Sequence, residues 1–285
     1  MTERIFVLGA GRAGRGLARA LRASGAQVVG LHGRREEHEG PDGRVTAGAI
    51  PGVVREASII LVTVQDAQLE SALTSLVPAP LAPQAVVLHA SGSSDPEALE
   101  ALRASGHPAG TFHPLVSLSD PGRAREVLQR AWIGIDGDAE AMTCARSLAS
   151  LLGARVLVIP PGEKGRYHAA AVFAANFPTV LAALSIRLLR EAGIPENEGW
   201  SALRGLMRAT VDNLHEGEPS HVLTGPIVRG DADTIARHLG ALASDALARD
   251  AYIALSRAAL PLAENGGTDG RLLQSIDLLL GGEGG

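Results

Sequence analysis

The stretch "VLGAGRAGRGLARAL", residues 7–21, constrains the fold more than any other part of the chain. The apolar run "RIFVL" leads straight into Gly9, Gly11 and Gly14, and these open the helical pattern "AGRGLARALRASG". The GxGxxG spacing meets three demands: a tight turn, room for backbone to approach a diphosphate, and close packing of helix on strand. The amides of the helix N-terminus then face the anion. Gly9, Ala10, Gly11, Arg12, Ala13 and Gly14 are the expected phosphate cradle. The spacing alone is a weak signal, but the strand, turn and helix it requires are all present. A plain glycine turn in some other α/β protein is the alternative.

The chain has 285 residues, 46% hydrophobic and 20% charged, enough for a sizeable core and more than one domain usually needs. From residue 4 to about 160, short β-type runs ("RIFVL", "AQVVGLH", "ASIILVTV", "QAVVLHA", "AGTFH", "WIGID", "RVLVIP") alternate with helical patterns. Most are apolar throughout, as strands covered on both faces should be. The expected class is α/β: a Rossmann-type doubly wound parallel sheet over residues 1–160, followed by an all-α C-terminal domain over 161–285. Pro178 is expected to kink or split the long helix that opens the second domain, and Asp231 to cap a later one.

Composition narrows the partners. The net charge is −5, and no Lys/Arg cluster exceeds Arg34–Arg35, so a nucleic-acid footprint is missing. The single cysteine, Cys144, falls among apolar helix positions and reads as a core thiol rather than a disulfide or metal ligand. No signal-peptide pattern opens the sequence, and no uninterrupted apolar stretch reaches the length of a membrane span. A cytoplasmic protein acting on a small molecule, with no nucleic acid and no membrane, is expected.

The strand ends carry the candidate chemistry, because ligands of open α/β sheets collect there. After the second strand, where an acidic residue would bind the ribose hydroxyls of NAD, the sequence is "HGRREEH". Gly33 is followed by Arg34 and Arg35, whose guanidinium groups suit a 2'-phosphate, so NADP (NADPH) is expected. The alternative is that both arginines are solvated charges neutralised by Glu36 and Glu37. In "TVQDAQ", Thr63, Val64 and Gln65 would border the nicotinamide, with Asp66 capping the next helix. "HASG" places His89, Ser91 and exposed amides at the same cleft, with His89 counted among the cofactor-binding residues. "FHPLVSL" adds His113 to the cleft. Neither histidine has a ligand partner at metal spacing, so no metal is expected.

The helix "EKGRYHAAAVFAANF" is the most informative after the glycine turn. His168 and Asn176 share one face two turns apart, and Lys164 lies one turn before His168. Polar groups on an otherwise apolar helix must find partners or face a cleft. Core or interface hydrogen bonds are the alternative. Further on, Thr224 and Arg229 could hold a substrate carboxylate, or Gly225–Pro226 could simply break a helix.

The strings "LGAGRAG", "LVTVQD", "VVLHASG", "GTFHPLVSL", "YHAAAVFAANF" and "LTGPIVRGD" occur in that order across nearly the whole chain. In them the sequence resembles Rossmann-like proteins that carry an α-helical C-terminal domain of unknown function 2520. More distantly it is similar to ketopantoate reductase, pyrroline-5-carboxylate reductase and the β-hydroxyacid dehydrogenases. The resemblance implies an NADP-dependent oxidoreductase of the 6-phosphogluconate-dehydrogenase-like superfamily, with the helical domains forming much of a homodimer. One departure matters: β-hydroxyacid dehydrogenases use a lysine followed one turn later by an asparagine. With His168 or Lys164 at the lysine position, Val172 or His168 takes the asparagine position, and the pair is broken.

The expected activity is hydride transfer between NADPH and a small carbonyl (2-oxo acid) or imine compound. His168 is the expected general acid or base, with Lys164 as second choice; Asn176 and Ser91 would orient the substrate, and His113 would line the site. Two rivals stand beside this: a non-catalytic NADP-binding redox sensor or regulatory module, and a deazaflavin-dependent NADP reductase.

Overall fold

The computed structural model describes residues 3–38, 40, 42–94 and 97–281. Among these, eight strands form one sheet: β1 (Arg4–Leu8), β2 (Gln27–His32), β3 (Val45–Thr46), β4 (Ile59–Val62), β5 (Val86–His89), β6 (Ala109–Pro114), β7 (Trp132–Gly137) and β8 (Arg155–Val158). Their order is β3-β2-β1-β4-β5-β6-β7-β8. The first six are mutually parallel in the doubly wound order, with the switch between β1 and β4. The helices of this part are α1 (Arg12–Ala23), α2 (Leu69–Leu76), α3 (Ala98–Ala104), α4 (Ala124–Leu128), α5 (Ala139–Leu151) and α6 (Lys164–Ala175).

The sheet departs from the expected all-parallel arrangement at its far side. β7 runs antiparallel to β6, and β8 runs parallel to β7. A parallel partner needs a crossover of a dozen or more residues, usually built on a helix. The link between β6 and β7, residues 115–131, is long enough for a crossover but carries only the five-residue α4, which packs on α1. The strands' two-residue period sorts the core into two layers. Ile5, Val7, Ile59 and Leu61 pack with α1 and α5 on one face, while Phe6, Leu8, Ile60 and Val62 pack with α2 and α3 on the other.

The compact units divide at Phe177/Pro178, beyond the last strand and one helix later than residue 160. Pro178 has no amide hydrogen, and the helical run breaks at Asn176 into α6 and α7 (Phe177–Glu191). The second unit continues through α8 (Glu196–Glu216), α9 (Pro219–Val222), α10 (Ala232–Ala241), α11 (Ala246–Asn265) and α12 (Gly270–Leu279). Asp231 caps α10 by accepting from the Thr234 amide. This unit has a small core of Ile235, Ile276 and Leu280, against which Tyr252, Ile253 and Leu260 pack. α7 buries only Ala182 and α8 only Gly199. The run Lys164–Glu191, interrupted at Asn176 and Pro178, is long and apolar enough, by length and composition alone, to cross a membrane.

Candidate active site

A cavity of about 870 Å³ opens beyond the carboxyl ends of β1, β2 and β4. Gly9, Ala10 and Gly11 form its floor, Gly33, Arg34 and Arg35 one wall, and Thr63, Val64 and Gln65 the other. Gly9 adopts φ +126°, a backbone region L-residues rarely enter, and a Cβ there would lie 2.6 Å from Thr63 backbone. A Cβ on Gly14 would collide with the Gly9 carbonyl, whereas nothing lies within 4 Å of one on Gly11. The turn is thus closed on its packing side and open toward the cavity. Gly11 is the N-cap of α1 without a side-chain cap, and the first turn holds no acidic residue. Its free amides therefore suit a diphosphate.

Around this floor the polar groups divide into two sets. The Thr63 hydroxyl donates to the Gly9 carbonyl at 2.8 Å, fastening β4 to the glycine turn. Arg15 donates to the Ala10 carbonyl at 2.9 Å, to Asp42 at 2.9 Å and to Glu37 at 2.5 Å; Arg19 also pairs with Asp42. These cations hold the Asp42 carboxyl below its usual range despite its burial. Glu36 pairs with Arg44 at 3.1 Å. Glu37 and Glu36, the two acids the sequence offered as neutralising Arg34 and Arg35, are thereby engaged elsewhere. The two arginines are exposed and make no ion pair among the described residues.

A second cluster lies beyond β5 and β6. His113, near the end of β6, has its Nδ1 2.8 Å from the Tyr167 hydroxyl, and its ring meets those of Tyr167 and His168 edge-on at 5.6 and 5.8 Å. Burial, helped by His168, lowers the His113 pKa to about 4, with Asp66 pulling the other way. The Tyr167 phenol is pushed up to about 12 by burial and by Asp136. His168 Nδ1 is buried without a hydrogen bond among the described residues.

Two family profiles match the chain: "NADP oxidoreductase coenzyme F420-dependent" over residues 4–92 and "domain of unknown function (DUF2520)" over residues 131–259. The chain is an NAD(P)-dependent oxidoreductase with a C-terminal DUF2520 domain. Among solved structures, this oxidoreductase is similar to a candidate NADP oxidoreductase from Bacteroides fragilis, at 25% identity and TM-score 0.72, covering 91% of this chain and 98% of that one. A Thermotoga maritima protein gives 25% identity and TM-score 0.70 over 92% and 98%. An imine reductase from Myxococcus stipitatus in complex with NADP+ shares the fold at 17% identity, TM-score 0.58, over 95% and 98%. No curated protein matches at the sequence level.

The oxidoreductase places its sequence-predicted residues unevenly. Gly9, Ala10, Gly11, Gly33, Arg34, Arg35, Thr63, Val64 and Gln65 line one cavity, and Arg12, Ala13 and Gly14 form the helix turn behind it. His89 is not a lining residue: it ends β5 between β4 and β6, is wholly buried, and faces the Thr111 hydroxyl at 3.2 Å. Asp66 does not cap α2; it begins a 3-10 turn, and its carboxylate accepts from the Ser93 hydroxyl at 2.8 Å. Ser91 is buried, its oxygen accepting from the Ser93 and Ser94 amides to shape the loop after β5. Lys164 is buried against Asp136 at 3.1 Å and the Ser94 carbonyl at 3.0 Å. Asn176 is exposed at the end of α6, and Thr224 and Arg229 are exposed in the second unit. Sequence reading missed Tyr167; the signal available was Gly134, an isolated glycine inside a strand, which marks a close approach.

Proposed function

We propose that this oxidoreductase transfers a hydride between NADPH and a small imine or neutral carbonyl compound. The observation that carries the reading is the placement of the glycine cradle and the His113–Tyr167–His168 cluster at the carboxyl edge of one sheet. When bound, the nicotinamide supplies or takes up the hydride. The amides of the first turn of α1 hold the diphosphate. Arg34 and Arg35, exposed in the cavity wall and without an ion pair among the described residues, hold the 2'-phosphate, which favours NADP over NAD.

His168 exchanges the proton with the substrate nitrogen or oxygen; its Nδ1 has no hydrogen bond among the described residues. Asn176, two turns further along the face, orients the substrate. Lys164 is committed to Asp136, so it is not available to anchor a substrate carboxylate. That favours imines and simple ketones over 2-oxo acids.

The enzyme works as a homodimer. Val180, Leu206 and Val211 of the second unit are exposed at 53–66% in the isolated chain, and a second copy covering them keeps this apolar surface from water, in line with a cytoplasmic location. The family description over residues 4–92 names coenzyme F420, which supports a second reading: a reduced deazaflavin as the hydride partner of NADP.

Titration with NADPH and NADH, followed by single-turnover assays with deuterated NADPH against cyclic imines, 2-oxo acids and a deazaflavin, tests these readings. Tight NADPH binding, about tenfold or more over NADH, with label transferred to an imine is the expected result. Absence of binding to every nicotinamide form would sink the reading, and label transfer to the deazaflavin alone would replace it with the second.

A further inference from the structure

We infer that Tyr167 is a positioning residue that holds His113 as its Nε2–H tautomer, so that His113 offers the substrate a neutral hydrogen-bond donor. The tautomer stands on geometry alone; the substrate's part rests on the reductase reading above.

The bond between Tyr167 Oη and His113 Nδ1, at 2.8 Å, could run in either direction. Among the described residues, that nitrogen is the only polar partner of the half-buried phenol. If the imidazole donated, the phenol proton would have no acceptor in the protein, a costly arrangement for a hydroxyl out of bulk water. If the phenol donates, both groups are satisfied and the ring proton sits on Nε2. Nε2 makes no hydrogen bond within the described residues, so its donor is left for a ligand.

The pair is built into the backbone. Across β6 and β7, His113 is in register with Gly134, and a side chain at Gly134 would collide with the Tyr167 hydroxyl. On the other side, a Cβ at Gly92 would lie 2.7 Å from His113 Cε1 and Nδ1. Two strands or strand-end loops thus give up side chains to admit this one contact.

The surrounding charges keep both partners neutral. His113 faces His168 from α6 and Asp66 from the turn after β4, and its pKa of about 4 leaves it uncharged near neutrality. Tyr167 faces Asp136 from β7, and its pKa of about 12 keeps its proton. A neutral imidazole in a fixed tautomer polarises a carbonyl or imine without giving its proton away, leaving proton transfer to His168.

The test is long-range 1H–15N correlation of the imidazoles in the full-length, 15N-labelled protein, with His113 assigned by its loss in His113→Asn. Wild type is expected to show a protonated Nε2 and an unprotonated Nδ1, unchanged from pH 5.5 to 8. Tyr167→Phe is expected to move both shifts toward their tautomer-averaged values, while the Kd for NADPH stays within about twofold. A protonated Nδ1 in wild type, or unchanged shifts in Tyr167→Phe, overturns the assignment, and the wild-type spectrum decides even if the variant does not fold. Adding 2-pyrrolidinone, a small carbonyl acceptor, to NADP+-loaded wild type is expected to shift Nε2–H. No shift overturns the donor role. Loss of NADPH binding with the tautomer intact would instead count against the reductase reading.

Discussion

Lys164 Nζ lies 3.1 Å from Asp136 Oδ2, joining the first turn of α6 to β7 with almost no solvent around the ammonium. Removing one member of a buried pair strands the other, which costs more than the pair's net worth. Lys164→Met is therefore expected to destabilise the fold by about 3 kcal/mol in urea unfolding. Asp136→Leu, which takes a carboxylate from the same buried ammonium, should cost stability too. If Lys164→Met were as stable as wild type, the pair would carry no structural role.

Arg34→Ala/Arg35→Ala should weaken NADPH about tenfold and leave NADH within about twofold, because only the former carries a phosphate for the guanidinium forks. The difference should shrink as salt rises, since both side chains are exposed. Calorimetric titration at two ionic strengths reads both effects, and an equal loss for both nucleotides would remove the arginines from cofactor choice.

Gly14→Ala places a methyl group against the Gly9 carbonyl and the Thr63 hydroxyl. Overpacking of this kind costs about 1–3 kcal/mol, and the displaced turn should lose most of its NADPH affinity. Gly11→Ala meets nothing in the protein, so it should lose only the small cost of alanine at the N-cap of α1, about 1 kcal/mol or less, while nucleotide affinity falls. Thermal melts with and without NADPH separate the two cases.

The His113 pKa, lowered from 6.5 to about 4, makes a prediction with a definite sign. Between pH 6.5 and 4 the unfolded chain binds a proton at this site that the folded chain refuses, so stability falls as pH falls, by up to about 1.4 kcal/mol per unit. Above pH 6.5 and below pH 4 the site contributes no slope. Denaturation series at pH 4.5, 5.5 and 6.5 should show a shallower pH dependence in His113→Asn than in wild type.

Cys144, on α5, has its thiol pushed up to about 12 by burial and by Glu3. Since the thiolate is the nucleophile, iodoacetamide at pH 8 should label the unfolded chain and spare the folded one. Rapid labelling of the folded protein would contradict the core-thiol reading.

Much of the sheet could be read from the chain because its strands are short apolar runs bounded by helix caps and glycines. β3 escaped notice because two residues, Val45 and Thr46, make no pattern. The reversal of β7 was hidden for a different reason: "WIGID" is equally apolar in either direction, and only the poor crossover before it carries the orientation. The glycine turn was legible since Gly9, Gly11 and Gly14 lie within one turn of chain. The Tyr167–His113 contact spans 54 residues and depends on strand register, so local spacing could not reveal it. His89 failed as a lining residue for a related reason: the last residue of a central strand can point into the sheet's interior or out of its edge, and sequence does not say which.

Reversing two strands also changes the direction in which the chain leaves the sheet. β8 ends at Val158, paired with Ile135, and the next helix meets Asp136 first, through Lys164, and the Gly134–His113 level one turn later, through Tyr167. α6 therefore travels toward the edge where the first six strands finish. With a parallel final pair, a helix leaving β8 would start at that edge and carry its side chains away from it. The two contrary strands act as a return path, so one stretch of helix delivers an anchor, a phenol and an imidazole to the edge of the sheet where the cavity over the glycine turn also opens.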